Sequence, residues 1–338
     1  MIPRFILTES RAVRFLIAVV LAVAALFAAG FAWVHAPLAQ SAASVDLNIE
    51  PGSSPRDVAR LVAAAGVKVQ PDLLYWWFRI SGKSRNIRAG SYELPEGTTP
   101  MTLLQKVVQG DEALRSVTLV EGWTFRQARQ ALAKAEGLRP DSKTMSDESV
   151  MEALDRSGQH PEGRFFPDTY TYSKGSSDLA VLRRAMRSMD QHLEAAWKLR
   201  TPSLALQSPD QALVLASIIE KETGRTADQG LISAVFNNRL QIGMRLQTDP
   251  TVIYGLGDKF DGNLRRTDLQ NDSPYNTYTR NGLPPTPISL PGRSALLAAV
   301  NPQSSKALYF VARGDGSSHF SNTLDEHNRA VDKYQRGR

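Results

Sequence analysis

Ser208-Pro209-Asp210-Gln211-Ala212-Leu213-Val214-Leu215-Ala216-Ser217-Ile218-Ile219-Glu220-Lys221-Glu222-Thr223-Gly224 reads as a single helix with both ends marked. Ser before Pro is a start signal, because the hydroxyl caps a free amide and Pro is tolerated in the first turn. Gly224 is placed to stop the helix. Between them lie about two turns with hardly a polar atom, the pattern of a helix buried on most of its circumference. Into that apolar cylinder the sequence puts Glu220. At about 100° per residue it falls within ~20° of Leu213, flanked by Ala216 and Ser217, whereas Glu222 points to the opposite side. A carboxyl among aliphatic side chains is hard to ionise, so its pKa is expected to rise towards the range of a general acid at neutral pH. A buried Glu tied to Arg239 or Arg245 for structural reasons is the other reading of the same pattern.

Downstream, a second helix is expected from about residue 228 to 242, with Ile232, Val235, Phe236 and Leu240 on one face. Residues 243–291 then read mostly as loop, rich in Asn, Thr, Asp, Pro and Tyr. So long a loop region in a compact domain usually has a functional reason. Its segments MRLQTDPTVIYG (244–255) and SPYNTY (273–278) gather amides, hydroxyls and flat rings. Sugars are bound by this mixture, although turns are rich in the same residues. A short helix at 294–300, a hairpin over Gly314-Asp315-Gly316 and a last helix capped by Asn322 complete the chain.

Upstream, one local unit recurs three times. Glu50-Pro51-Gly52-Ser53-Ser54, Pro95-Glu96-Gly97-Thr98-Thr99 and Glu121-Gly122-Trp123-Thr124 each precede a short amphipathic stretch. Each reads as strand, Gly turn, hydroxyl cap and helix. The unequal spacing does not make a solenoid, so small α+β modules are expected. The unit resembles the LysM type, which grips N-acetyl sugars of wall glycans, and a plain helix–strand spacer fits it equally. The aromatic cluster Leu74-Tyr75-Trp76-Trp77-Phe78 reads as core or interface. Residues 141–149 form a polar junction, followed by an aromatic strand within 163–172 and a basic helix over 179–198.

Residues 15–34 (FLIAVVLAVAALFAAGFAWV) form an uninterrupted apolar run of the length of one bilayer crossing. Arg4, Arg11 and Arg14 precede it against Glu9 alone among acids, so the N-terminus is expected to stay cytoplasmic and the body to be exported. A cleaved signal peptide ending near Gln40 is the competing reading; the length of the apolar run favours a retained anchor.

The 338 residues contain no cysteine, which excludes disulfides, thiolate metal sites and Cys nucleophiles. The net charge of +6 is spread out with no run of five like charges, against a nucleic-acid arm. No HExxH motif or GxSxG elbow occurs, and Gly82-Lys83-Ser84 lacks the upstream Gly of a P-loop. His319 reads as a packing residue.

The blocks Ile218-Ile219-Glu220-Lys221-Glu222-Thr223, Asn238-Arg239-Leu240, residues 243–255 (GMRLQTDPTVIYG), Tyr275-Asn276-Thr277-Tyr278, Gly282-Leu283-Pro284-Pro285 and Asn301-Pro302 together resemble the endolytic murein transglycosylases (MltG, YceG-like). Glu162-Gly163 with Phe166-Pro167-Asp168-Thr169-Tyr170 matches as well. The resemblance implies an α+β protein with a cytoplasmic segment at 1–14, a transmembrane helix at 15–34, a linker at 35–44, a LysM-like module at 45–115 and a catalytic domain at 116–338. It implies Glu220 as the catalytic acid, with Gln247, Asp249, Tyr254, Tyr275, Asn276 and Tyr278 as substrate contacts and no metal or cofactor. The implied reaction is lytic cleavage between N-acetylmuramic acid and N-acetylglucosamine within peptidoglycan strands, leaving 1,6-anhydro ends and terminating nascent strands. The implied setting is the bacterial inner membrane with the catalytic domain periplasmic. Peptidoglycan glycan strands and membrane lipid are the implied partners, peptidoglycan synthases are left open, and nucleic acid is not expected. A two-carboxylate hydrolase pairing Glu220 with Asp249, and a non-catalytic wall-binding tether, are the alternatives.

Overall fold

The computed structural model describes residues 11–337, with side chains from residue 13. Most of the cytoplasmic segment expected at 1–14 therefore lies outside the described residues. The chain divides into two compact units. One holds the chain up to residue 115 with residues 173–175; the other holds 116–172 and 176–338.

In the first unit, helix α1 (Arg11–His35) contains a 23-residue stretch, Val13–His35, of mean hydropathy 2.7. Its side chains are exposed until the last turn, where Val34 is buried and Trp33 packs on the core of the module that follows. That module begins with a two-residue strand β1 (Ala39–Gln40), then β2 (Ser44–Ile49), α2 (Pro55–Ala64), β3 (Val67–Lys68), α3 (Pro71–Ile80), β4 (Gly90–Pro95) and α4 (Pro100–Gln109). β2 and β4 pair antiparallel from Ser44↔Pro95 to Ile49↔Gly90, and β1 pairs with β3. Alternation along β2 turns Val45, Leu47 and Ile49 inward, where they meet Val58, Val62, Leu74, Phe78, Leu103 and Val107.

The second unit begins within β5 (Leu114–Thr118) and runs through α5 (Phe125–Lys134), α6 (Asp147–Ala153), β6 (Thr169–Ser173, but for its last residue) and the long α7 (Asp178–Lys198). Then come α8 (Pro209–Glu222), α9 (Thr226–Gln241), α10 (Asp249–Leu256), α11 (Arg266–Gln270), α12 (Arg293–Val300), β7 (Tyr309–Ala312), β8 (Ser318–Ser321) and α13 (Leu324–Tyr334). α8 is the hub: it packs against α7, α9, α10 and α12, and every residue from Ala212 to Ile219 is buried. A second core under α5, α6 and α7 gathers Phe125, Leu132, Met151, Phe165 and Leu182.

The three recurring units fold as their sequences dictate. Gly52, Gly97 and Gly122 turn the chain at φ +88°, +86° and +76°. Ser54, Thr99 and Thr124 then cap α2, α4 and α5, each closed by a reciprocal bond from the third helical residue. Other boundaries differ from expectation. α8 ends on Thr223 in extended conformation, not on a left-handed Gly224. The last helix is capped by Thr323, with Glu326 at its third position, one residue beyond the expected cap Asn322. Residues 249–256, expected as loop, are α10: Pro250 in its first turn starts it, a signal hidden by the surrounding Asn, Thr and Pro.

Candidate active site

Residues 288–292 run alongside α8 and define what Glu220 faces. Ser217 is fully buried; its hydroxyl donates to the Val214 carbonyl at 2.7 Å and accepts the Ile288 amide at 3.0 Å. The Ser289 hydroxyl returns a bond to the Ser217 carbonyl at 3.0 Å. One helical turn further on, Glu220 Oε2 accepts the amide of Gly292, the residue that opens α12, at 3.0 Å. The same segment is fixed from its other edge, where Leu290 exchanges backbone bonds with Gly122 and Trp123 at 2.9 and 2.7 Å.

Glu220 is half-buried at the seam of these segments. Burial pushes its pKa up; the Gly292 amide pulls it back, the Glu121 carboxylate pushes it up further and Lys221 lowers it. Lys221 Nζ donates to the Gly122 carbonyl at 3.3 Å. Glu121 is close to Gly292: a methyl built there would stand 1.9 Å from Glu121 Oε1. The structural ion pair considered for Glu220 is not formed. Arg239 spends its guanidinium on the carbonyls of Leu308 and Leu246, both at 2.6 Å, and Arg245 reaches the Tyr278 carbonyl and the Asn281 amide oxygen.

Beside Lys221 opens a cleft of about 790 Å³, walled by Glu162, Pro250, Tyr254, Phe260, Tyr275 and Ile288 among others. The rings of Tyr254 and Tyr275 meet edge to face at 5.0 Å. Tyr275 is held by Thr286 at 2.8 Å. The Tyr254 hydroxyl donates to Glu162 Oε2 at 3.0 Å, while Glu162 Oε1 accepts the Phe125 amide at 2.8 Å. Glu162 is buried, and burial pushes its pKa up to about 7.

The remaining expected site residues gather around a different carboxylate. Glu222 accepts the Thr248 hydroxyl, and burial pushes its pKa up to about 7, with the charge of Asp249 adding to the effect. Asp249 accepts the Tyr278 hydroxyl at 2.5 Å; burial and that carboxylate hold the phenol well above its ordinary range. Asp249 is thus the charge beside Glu222, whereas the acid beside Glu220 is Glu121. Gln247 is exposed between buried Leu246 and Thr248 with a left-handed backbone, φ +49°. A non-glycine residue held there is strained, and such strain collects at functional sites. Asn276 stands apart: it is 1% exposed, its amide donates to the carbonyls of Leu269 (3.1 Å) and Asn271 (2.7 Å), and its oxygen accepts the Tyr278 amide. That side chain braces the loop.

Sequence reasoning missed Glu121 and left Glu162 without a role. Glu121 was visible only as the residue before a Gly turn. Glu162 carries no local signal of burial, because the groups that enclose it, Phe125 and Tyr254, lie 37 and 92 residues away.

A half-buried carboxyl whose burial favours the proton, next in the chain to the Lys221 that lines a tyrosine-walled cleft, suits an acid–base enzyme acting on a polar substrate. The chain belongs to the YceG-like family, whose model matches residues 47–333. It is 32% identical over 311 residues to a Bacillus subtilis (strain 168) protein named endolytic murein transglycosylase, covering 87% of this chain and 86% of that one. A Streptococcus pneumoniae (serotype 2, strain D39) protein of the same name is 27% identical over 328 residues; there the match covers 87% of this chain and 59% of the relative. A YceG-like protein from Listeria monocytogenes, solved by crystallography at 2.6 Å, superposes with a TM-score of 0.55 at 32% identity, covering 85% of this chain and 98% of that one. The family read from the motifs is the family found.

Proposed function

We propose that this chain is a membrane-anchored endolytic transglycosylase of peptidoglycan, with Glu220 as its single acid and base. The observation that carries the reading is the setting of Glu220: a half-buried carboxyl whose burial favours the proton, fixed through Oε2 on the Gly292 amide. The names of the relatives supply the substrate class.

With Oε2 anchored, Oε1 is left to carry the proton. Protonated Glu220 donates it to the glycosidic oxygen as the bond from that oxygen to C1 of the muramyl sugar breaks. Positive charge builds at C1 in an oxocarbenium-like transition state. The 6-hydroxyl of the same sugar then bonds to C1, and its proton passes to the Glu220 carboxylate. The products are a 1,6-anhydromuramyl end and a free 4-hydroxyl, and Glu220 returns to its starting state. Because the internal hydroxyl replaces water, a second carboxylate has no covalent task. Tyr254 and Tyr275 offer ring faces for sugar C–H groups, and Gln247, Asp249 and Tyr278 offer polar contacts further along the strand.

Helix α1 serves in this reading as a single inner-membrane span with the rest of the chain in the periplasm, and the module that follows engages glycan without performing chemistry. A reporter active only in the periplasm, joined after residue 338, is expected to be on; a silent reporter contradicts the orientation.

One observation favours a second reading. Glu121 sits beside Glu220, so a two-carboxylate hydrolase has its pair in Glu220 and Glu121 and not in Asp249. Mass spectrometry of products from purified sacculi separates the two: anhydromuramyl ends support the lytic reaction, and reducing muramic ends support hydrolysis.

A further inference from the structure

Helix α3 is apolar on two sides. Leu74 and Phe78 are fully buried in the module's core, while Leu73, Trp76 and Ile80 point outward with 48%, 57% and 78% of their surface exposed. Their spacing of three and four residues makes one stripe. Scattered apolar residues on a surface are ordinary, but this stripe has a neighbour. Together with Trp77 and Met101 it faces Val23, Phe27, Phe31 and Val34 of α1 across a groove of about 470 Å³ with almost no polar atom in its wall.

The position of that groove along α1 gives its depth. Its α1 wall runs from Val23 to His35, the half of the apolar run on the module's side. With Val34 buried and Trp33 packed on the module's core, the module cannot swing away from the end of the span. The outward stripe of α3 therefore lies beside the outer half of the helix, the half that ends where hydrocarbon gives way to headgroups. Residues 73–92 also contain Arg79, Lys83, Arg85 and Arg88 and no Asp or Glu, and all four cations are exposed. Trp and aliphatic side chains backed by cations are the composition of a segment that lies in an anionic membrane surface.

We propose that the Leu73–Trp76–Ile80 stripe of α3 is seated in the headgroup region of the bilayer that α1 spans, with lipid acyl chains filling the groove between α3 and α1. The module is then fixed on the membrane by two elements. This rests on the reading of α1 as a span.

The absence of cysteine allows a direct test. Full-length protein carrying an environment-sensitive fluorophore at Leu73→Cys, Trp76→Cys or Ile80→Cys is reconstituted, one variant at a time, into vesicles of phosphatidylglycerol and phosphatidylethanolamine containing spin-labelled lipid. Leu21→Cys reports the middle of α1, and Glu50→Cys an exposed turn of the module. All of these positions except Glu50 replace outward apolar side chains, so the core is undisturbed. Labels near the headgroup are expected to quench positions 73, 76 and 80 about twofold or more, labels deep in the chain to quench position 21, and neither to quench position 50. Lipid quenching at position 21, with 73, 76 and 80 as open to aqueous iodide as position 50, overturns the proposal and leaves the span intact. Shielding of 73, 76 and 80 from both quenchers overturns it in favour of a protein occupant. No lipid quenching at position 21 removes the span and this proposal together.

Discussion

The Glu220 carboxylate accepts the Gly292 amide at 3.0 Å, one helical turn beyond the point where Ser217 accepts the Ile288 amide at the same distance. Two hydrogen bonds thus lock the segment 288–292 along α8, and the first holds the second in place. Ser217→Ala strands a buried amide, which costs about 1–3 kcal/mol. The expected result is a lower melting temperature together with a fall in kcat larger than any change in KM. Loss of stability at unchanged kcat would show that Gly292 keeps its position without Ser217.

The pH dependence of cleavage is expected to follow the two charges beside Glu220. Glu121 holds its pKa up and Lys221 holds it down. The acid step needs the protonated form, so activity falls as pH rises through that pKa. Glu121→Gln is expected to move the alkaline limb of the kcat/KM profile to lower pH, and Lys221→Met to move it to higher pH. Gly292→Ala, whose methyl displaces the flexible Glu121 carboxylate, is expected to act in the same direction as Glu121→Gln. Shifts of equal sign for Glu121→Gln and Lys221→Met, or none, contradict the assignment.

Glu162 and Glu222 make stability itself depend on pH. Each has an ordinary value of 4.5 raised to about 7 in the folded chain. Between those values the native state binds more protons than the unfolded one, so their contribution is complete below pH 4.5 and is lost as pH rises through 7. Glu162→Gln imitates the protonated acid: it can accept from Phe125 and donate to Tyr254. The wild type is expected to melt at lower temperature at pH 8 than at pH 5, and Glu162→Gln to recover up to about 3 kcal/mol of the difference. An unchanged slope in the variant would show that Glu162 is ionised throughout.

Asn276 separates a loop brace from a sugar contact. Removing its amide takes the side-chain donor from the carbonyls of Leu269 and Asn271. Asn276→Ala is expected to cost about 1–3 kcal/mol of stability, with KM of the folded fraction little changed. Raised KM at full stability would restore it to the substrate contacts.

How much of this was legible in the sequence depended on range. The capped units at Ser54, Thr99 and Thr124, the buried helix and the apolar run of α1 all rest on neighbours within a few residues, and the structure has them. α10 was missed because one Pro spoke for a helix among many loop-formers. The partition of the site was beyond reach for a different reason. Whether Asp249 faces Glu220 or Glu222, and whether Asn276 points into the cleft or its own loop, depends on where residues 268–278 return to α8 and α10, and side-chain periodicity says nothing of that. The helical phase did separate Glu220 from Glu222: one meets Gly292 and the other Thr248. It did not reveal that burial raises the pKa of the second acid as well.

That second acid sets the decisive comparison, Glu220→Gln against Glu222→Gln on purified sacculi with products read by mass spectrometry. Gln keeps the volume and an acceptor for the Gly292 amide, and removes only the titratable proton. General acid–base catalysis contributes ~10²–10⁴-fold per role and Glu220 fills both, so its variant is expected to release no anhydromuramyl ends above background at an unchanged melting temperature. Glu222→Gln is expected to keep cleaving. Comparable turnover by Glu220→Gln, or loss confined to Glu222→Gln, would contradict Glu220 as the acid.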